Sequence, residues 1–191
     1  MGYDPLLTKD LFYPSPQGTG AQGATMSEIH HKEVSDPILI AGIQVRTTNV
    51  AELTGQGKIG PLWKRFFTEN IPDKIHGRKN NYMYAVYSNY ESDEYGAYDL
   101  LIGVEVISVE NLPEGFSFSA IATGRYAVVT TEKGLVTEMV PGTWKEIWQM
   151  PREEMGGKRA FLTDYEIYGS QATDPRNAVV DIYIGLEPVA E

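Results

Sequence analysis

The sequence predicts an α+β fold: a tandem strand-helix-strand-strand repeat forming one antiparallel sheet, with helices on one side and a ligand cleft between pseudo-symmetric halves. Three recurrences carry this expectation. Tyr84-Ala85-Val86-Tyr87 returns as Tyr165-Glu166-Ile167-Tyr168 at an offset of 81, and Trp63-Lys64 returns as Trp144-Lys145 at the same offset. Ile102-Gly103-Val104-Glu105 returns as Ile184-Gly185-Leu186-Glu187 at 82. Self-similarity at a fixed spacing marks a repeated supersecondary unit, and two equal units make a groove between them.

Residues 1–36 read as an N-terminal extension with the character of a disordered tail. Pro5, Pro14, Pro16, Gly18, Gly20 and Gly23 interrupt them, and the only apolar patch is Leu11-Phe12-Tyr13. Residues 37–191 form the compact domain, with halves at about 37–110 and 111–191. In the first half Leu39, Ala41, Ile43 and Val45 alternate as in a largely buried strand. Ile59, Leu62, Trp63, Phe66 and Phe67 then form one helical stripe, with Pro61 in the first turn and Pro72 past the end. Strands over 82–88 and 100–108 follow, joined by a polar turn at 91–94.

The second half repeats the order with a longer opening section. Strands are expected over 116–122 and 125–131, broken at Thr123-Gly124. Pro141 is expected to begin a helix whose stripe is Val140, Trp144, Ile147 and Trp148. Strands over 160–168 and 178–186 close the repeat, around a loop at 173–177.

Composition bounds the function. The 191 residues, 42% of them hydrophobic, suffice for one sizeable core. A formal charge of -10 repels phosphate backbones, so no direct nucleic-acid partner is expected. The absence of cysteine excludes disulfides, thiolate metal sites and cysteine nucleophiles, and fits a reducing cytoplasm. No apolar run is long enough to span a membrane, and the amino terminus lacks the layout of a secretory signal. A cytoplasmic protein without a membrane partner is expected.

Period-two geometry places Leu162, Asp164, Glu166 and Tyr168 on one face of their strand, and Phe161, Thr163, Tyr165 and Ile167 on the other. The matching face of the first half carries Ala85 and Tyr87. The tyrosine is thus kept in both halves and the carboxylate in one. A carboxylate among aromatic and apolar groups is costly to desolvate unless a cation or a donor meets it, and rings attract positive charge as well. A rim Glu166 paired with a neighbouring Lys or Arg is the plainer alternative. Glu105 and Glu187 end matching strands, each two residues after a glycine, on faces opposite Ile102-Val104-Val106 and Ile182-Ile184-Leu186. Gly103 and Gly185 read first as relief at a sheet crossing and second as room for a ligand.

Other signals carry less. Gly55-Gln56-Gly57-Lys58-Ile59-Gly60 spells GxGxxG, but no parallel unit surrounds it and no acidic residue stands at the ribose-binding distance. His30, His31 and His76 supply no metal cluster, so neither metal nor cofactor is expected. Trp63, Trp144 and Trp148 lie on helix stripes, where core packing is the default.

The repeat, Gly103-Val104-Glu105, Gly124-Arg125-Tyr126-Ala127-Val128, the tryptophan helix from Gly142 to Trp148, and Tyr165-Glu166-Ile167-Tyr168 followed by Asp181-Ile182-Tyr183-Ile184 together resemble the GyrI-like, or AraC-type effector-binding, domain. The similarity covers residues 37–187, and the integron-associated effector-binding branch is the nearest. The resemblance implies the ligand-sensing half of multidrug-responsive transcription regulators, in which a central acidic residue among aromatics receives lipophilic cations. Glu166 takes that position. The resemblance further implies Tyr126, Trp144 and Tyr168 as wall residues, with Tyr82, Tyr84, Phe161 and Tyr183 as outer candidates; Glu105, from its place at the strand end, is a second acidic candidate. The chain departs from the regulators in having no helix-turn-helix segment. It also has Ile184-Gly185-Leu186 where a proline is common in the family.

Three functions follow from this reading. The first is a stand-alone binding module for an amphipathic organic cation. The second is a small hydrolase of strained or activated molecules, with Glu166 as general base and Tyr168 orienting. The third is an interaction module docking on a topoisomerase or a transcription regulator. A homodimer or a regulatory protein partner stays open.

Overall fold

The computed structural model describes residues 29–189. The expected extension therefore lies outside the described residues up to position 28, Leu11-Phe12-Tyr13 and Met26 included. From there it is a strand, β1 (Ile29–Val34). The remaining elements are β2 (Ile38–Thr48), α1 (Asn49–Leu53), α2 (Ile59–Thr68), β3 (Met83–Ser88), β4 (Ala97–Glu105), β5 (Ser117–Ile121), β6 (Gly124–Thr130), α3 (Val136–Gln149), α4 (Arg152–Met155), β7 (Arg159–Tyr168) and β8 (Asp181–Leu186).

All strands join one antiparallel sheet in the order β1-β6-β8-β7-β3-β4-β2-β5. Read from either end, the order exchanges β1 with β5, β2 with β6, β3 with β7 and β4 with β8. The repeated unit is therefore strand-strand-helix-strand-strand, one strand longer than the recurrences imply. That extra strand is exchanged. β1 of the first unit pairs with β6 of the second, and β5 of the second pairs with β2 of the first.

The two faces of the sheet are covered differently. On one, Leu62, Trp63 and Phe66 of α2 and Val140, Trp144 and Ile147 of α3 pack against Ile43, Ile102, Val129 and Ile184 of the strands. On the other no helix contributes among the described residues, and Tyr84, Tyr126, Tyr165 and Tyr183 cluster with Ile40, Leu101 and Val128. Helices on one side follow from the period-two pattern of these strands.

Two local features decide how the helices sit. Glu52 accepts hydrogen bonds from the N–H groups of Lys58 and Ile59, at 2.8 and 3.3 Å, and so caps α2 with a negative charge at its amino end. α3 begins at Val136, five residues before Pro141, which lies inside the helix. The expectation that Pro141 starts the helix fails because Val136 and Val140 are both buried one turn apart. Their burial outweighs the single hydrogen bond a proline removes.

Gly42 and Gly103 face each other in the β2–β4 ladder. A Cβ on Gly103 would stand 2.2 Å from the Ala41 carbonyl oxygen, and one on Gly185 2.7 Å from that of Thr163. Close backbone approach, not ligand access, accounts for both glycines.

Candidate functional site

β3 and β7 are the central strands, and their register places Ala85 directly opposite Glu166. These two residues are also equivalents under the offset of 81. The pseudo-two-fold axis relating the halves therefore passes through this pair, and the aromatic groups around it come in related couples. Trp63 meets Tyr168 with ring centroids 5.0 Å apart, and Trp144 meets Tyr87 at 4.9 Å, both edge-on or tilted.

The side chain of Glu166 is 2% exposed. Its Oε1 accepts from the Tyr87 hydroxyl at 2.7 Å and from Trp144 Nε1 at 2.6 Å, and its Oε2 accepts from the Tyr168 hydroxyl at 2.6 Å. Burial pushes the carboxyl above the ordinary glutamate range, and the bonds from Tyr168, Trp144 and Tyr87 oppose that rise without cancelling it. Burial, with the carboxylate beside them, holds the Tyr87 and Tyr168 hydroxyls far above their usual range, so both remain donors. Among the described residues no Lys or Arg pairs with Glu166. The rim alternative is thereby corrected, because Glu166 is buried on a central strand and its carboxylate is met by neutral donors.

Asp164, two residues earlier on the same face, is buried and fully answered. Arg159 Nη2 and the Tyr90 hydroxyl each donate to its Oδ2 at 2.7 Å, and Gly185 N–H donates to its Oδ1 at 2.8 Å. The two neighbouring carboxylates differ in their partners. Asp164 is paired with a cation, and Glu166, among the described residues, is met by neutral donors only.

A cavity of about 560 Å³ opens over Glu166, bounded by α1, α2 and α3. Trp63, Tyr87, Tyr90, Tyr98, Trp144, Trp148 and Tyr168 form its aromatic wall, and Leu53, Ile59 and Val140 are in its aliphatic part. A volume of this size suits a drug-sized ligand, and a mostly apolar lining with few polar groups is what such sites share.

Of the residues expected from sequence, the structure brings Glu166, Tyr168 and Trp144 together here. It does not bring the others. Tyr84, Tyr126 and Tyr183 sit on the helix-free face, where Tyr165 stacks on Tyr183 at 4.3 Å and meets Tyr126 edge-on at 5.2 Å. Glu105 belongs to that face as well, bound by Lys79 at 3.1 Å, Asn80 at 2.8 Å and Tyr84 at 3.1 Å. Burial, largest of several causes, pushes the Tyr84 hydroxyl up to about 12. Tyr82 is 40% exposed, ahead of β3. Phe161 lies in the β7 irregularity between Arg159 and Asp164 with φ of 49°, covered by the Arg159 guanidinium at 4.3 Å.

Sequence reasoning missed Tyr87, Tyr90 and Tyr98 as members of this wall, and assigned Trp63 and Trp148 to core packing. Two had a signal, since Tyr87 and Trp63 are the repeat mates of Tyr168 and Trp144. Tyr90 and Tyr98 had none, because they follow the recurring strings and have no aromatic mate.

The family model of integron-associated effector-binding proteins matches residues 33–186. YobU of Bacillus subtilis (strain 168), named as a candidate transcriptional regulator, is 31% identical over 148 residues, covering 77% of this chain and 91% of its own. Among solved structures, an integron cassette protein from the mobile metagenome of Vibrio cholerae shares 28% identity at a TM-score of 0.65, over 83% of this chain and 95% of that one. SAV2435, solved bound to tetraphenylphosphonium, gives a TM-score of 0.67 at 16% identity over 85% of this chain and 95% of that one, a likeness of fold.

Proposed function

The chain belongs to the family of integron-associated effector-binding proteins, and from that membership we propose that its cavity captures lipophilic organic cations, with Glu166 as the charge partner in an aromatic cage. One observation carries the reading: a carboxylate buried at the cavity floor, held by three neutral donors and, among the described residues, by no cation. A buried charge left without a counter-charge is unfavourable, and a ligand cation entering the cavity removes that penalty. The rings of Trp63, Tyr87, Trp144 and Tyr168 add cation–π attraction and apolar contact. That SAV2435 holds tetraphenylphosphonium, a cation without hydrogen-bonding groups, supports the ligand class.

Binding is favoured over hydrolysis because Tyr87, Trp144 and Tyr168 already fill three of the about four acceptor sites of the Glu166 carboxylate. A general base needs a lone pair directed at water. The test uses methyltriphenylphosphonium and the neutral triphenylphosphine oxide, similar in size, titrated calorimetrically into wild type and Glu166→Gln. The substitution keeps volume and removes charge. It is expected to cost the cation about 1–3 kcal/mol while sparing the neutral compound. Equal losses for both would assign the effect to packing and overturn the charge role.

A further inference from the structure

The cavity reaches beyond the Glu166 cage toward the connection between β3 and β4, where Tyr90, Glu94 and Tyr98 line it. A row of rings leads there. Tyr87, whose hydroxyl donates to Glu166, lies 5.6 Å from Tyr98, and Tyr98 lies 5.8 Å from Tyr90, between ring centroids. The charges at the far end of the row do not cancel. Arg159 Nη2 is 2.7 Å from the buried Asp164, whereas its Nη1 stands 4.0 Å from Glu94 Oε2, beyond hydrogen-bond length. One guanidinium thus answers two carboxylates, and one negative charge is left over. Glu94 carries it, because its side chain is 28% exposed where that of Asp164 is 0%. Neither of its carboxylate oxygens accepts a hydrogen bond among the described residues, and neither is sealed from solvent. The other charged groups of the lining do not change this balance. Glu52 is spent on the α2 cap, and Lys145 is exposed on α3 and forms no ion pair among the described residues.

A carboxylate beside aromatic rings attracts a cation in two ways, by its charge and through the rings' quadrupoles. Glu166 has such a setting at the floor, and Glu94 has a shallower one with Tyr90 and Tyr98. We propose that Glu94, with these two rings, is a second cation station of the cavity, and that the effector is a dication whose charges are joined by a linker lying along the row of tyrosines. The inference rests on the cation reading given above. It adds a second charge that tetraphenylphosphonium lacks, and so separates ligands that one charge and bulk alone leave equivalent.

The experiment compares ω-(trimethylammonio)alkyltriphenylphosphonium ions, with tethers of about two to six carbons, against their ω-tert-butyl isosteres, which keep the shape and lack the second charge, by calorimetry on the full chain. At one tether length the dication is expected to bind wild type at least as tightly as its isostere. Glu94→Gln keeps the side-chain volume and the carbonyl that holds Asn49. At that length it should weaken the dication by about 3- to 30-fold, the range of a partly exposed ion pair joined to a cation–π contact, while leaving the isostere's affinity unchanged. Glu146→Gln removes an acidic charge from α3 outside the cavity lining and should leave both affinities unchanged, which separates a local contact from the field of a chain with a formal charge of -10. Glu166→Gln should weaken both compounds. An isostere that binds wild type more tightly at every length, a Glu94→Gln variant that spares the dication or weakens both compounds equally, or an equal loss in Glu146→Gln would each overturn the proposal while Glu166→Gln still weakens both. If Glu166→Gln leaves both unaffected, or neither binds, the cation reading falls and this one with it.

Discussion

Around the sheet centre the first half presents Trp63, Ala85 and Tyr87, and the second presents Trp144, Glu166 and Tyr168. The aromatic frame is shared and the charge is not. The register gives the reason. Ala85 and Glu166 are equivalents in the repeat and face each other across the β3–β7 ladder, so they occupy the pseudo-axis itself. Directly opposed side chains in an antiparallel pair stand about 5 Å apart at Cβ, and two carboxylates there would repel by about 3 kcal/mol even at an effective dielectric of 20. A duplicated fold can keep its rings twice, but at its axis it holds one charge.

The strongest way to break the comparison is to make the halves alike. Ala85→Glu places a second carboxylate at a fully buried position, and a loss of about 3 kcal/mol or more is expected in urea unfolding at pH 7, shrinking in acid as the pair takes up protons. Moving the charge instead, with Ala85→Glu and Glu166→Ala together, should restore most of the stability and the cation binding. Trp63, Tyr87 and Tyr168 then stand where Trp144, Tyr168 and Tyr87 stand for Glu166. A double variant no better than Ala85→Glu alone would contradict the shared cage.

A smaller effect follows from titration. The Glu166 carboxyl is raised in the folded protein, so its favourable contribution to stability is complete below the ordinary glutamate range. That contribution is lost as pH climbs through the raised value. A cation selects the ionised form and expels the proton, so affinity should increase with pH by up to about tenfold per unit below the raised value, then level off. Calorimetry across that window should find no such slope in Glu166→Gln.

The smallest contrast lies between the two tyrosines. Among the described residues Tyr168 alone donates to Oε2, whereas Oε1 receives both Tyr87 and Trp144. Tyr168→Phe is therefore expected to cost about 1 kcal/mol more than Tyr87→Phe in thermal unfolding. Equal costs would mean that the cage is as symmetric in energy as in shape.

The repeat discloses part of the site, and long-range strand pairing alone decides the rest. The repeat singles out Glu166 against its mate Ala85, the resemblance adds Tyr168 and Trp144, and strand alternation excludes part of the rest. Tyr84 alternates with Ala85, and Tyr126 with Ala127, so neither shares the face that carries Glu166. The resemblance placed them together all the same, because string matching is blind to faces. Phe161 was lost to an irregularity in β7 that no local pattern announces. Tyr90 and Tyr98 reach the cavity only because β3 and β4 are neighbours. The exchange of β1 and β5 is a matter of long-range pairing, and β1, with the sequence Ile-His-His-Lys-Glu-Val, shows no apolar alternation.

That exchange has a consequence for how the molecule is held. Each unit supplies the outermost strand of the other, so the halves are clasped like two people who have each taken the other's arm. Splitting the chain in the connection between β4 and β5 would give two fragments, each lacking the edge its counterpart carries. Neither would be a finished sheet alone. The halves cannot swing apart to admit a ligand without unzipping both clasps, so entry to the cavity is left to the helices that roof it.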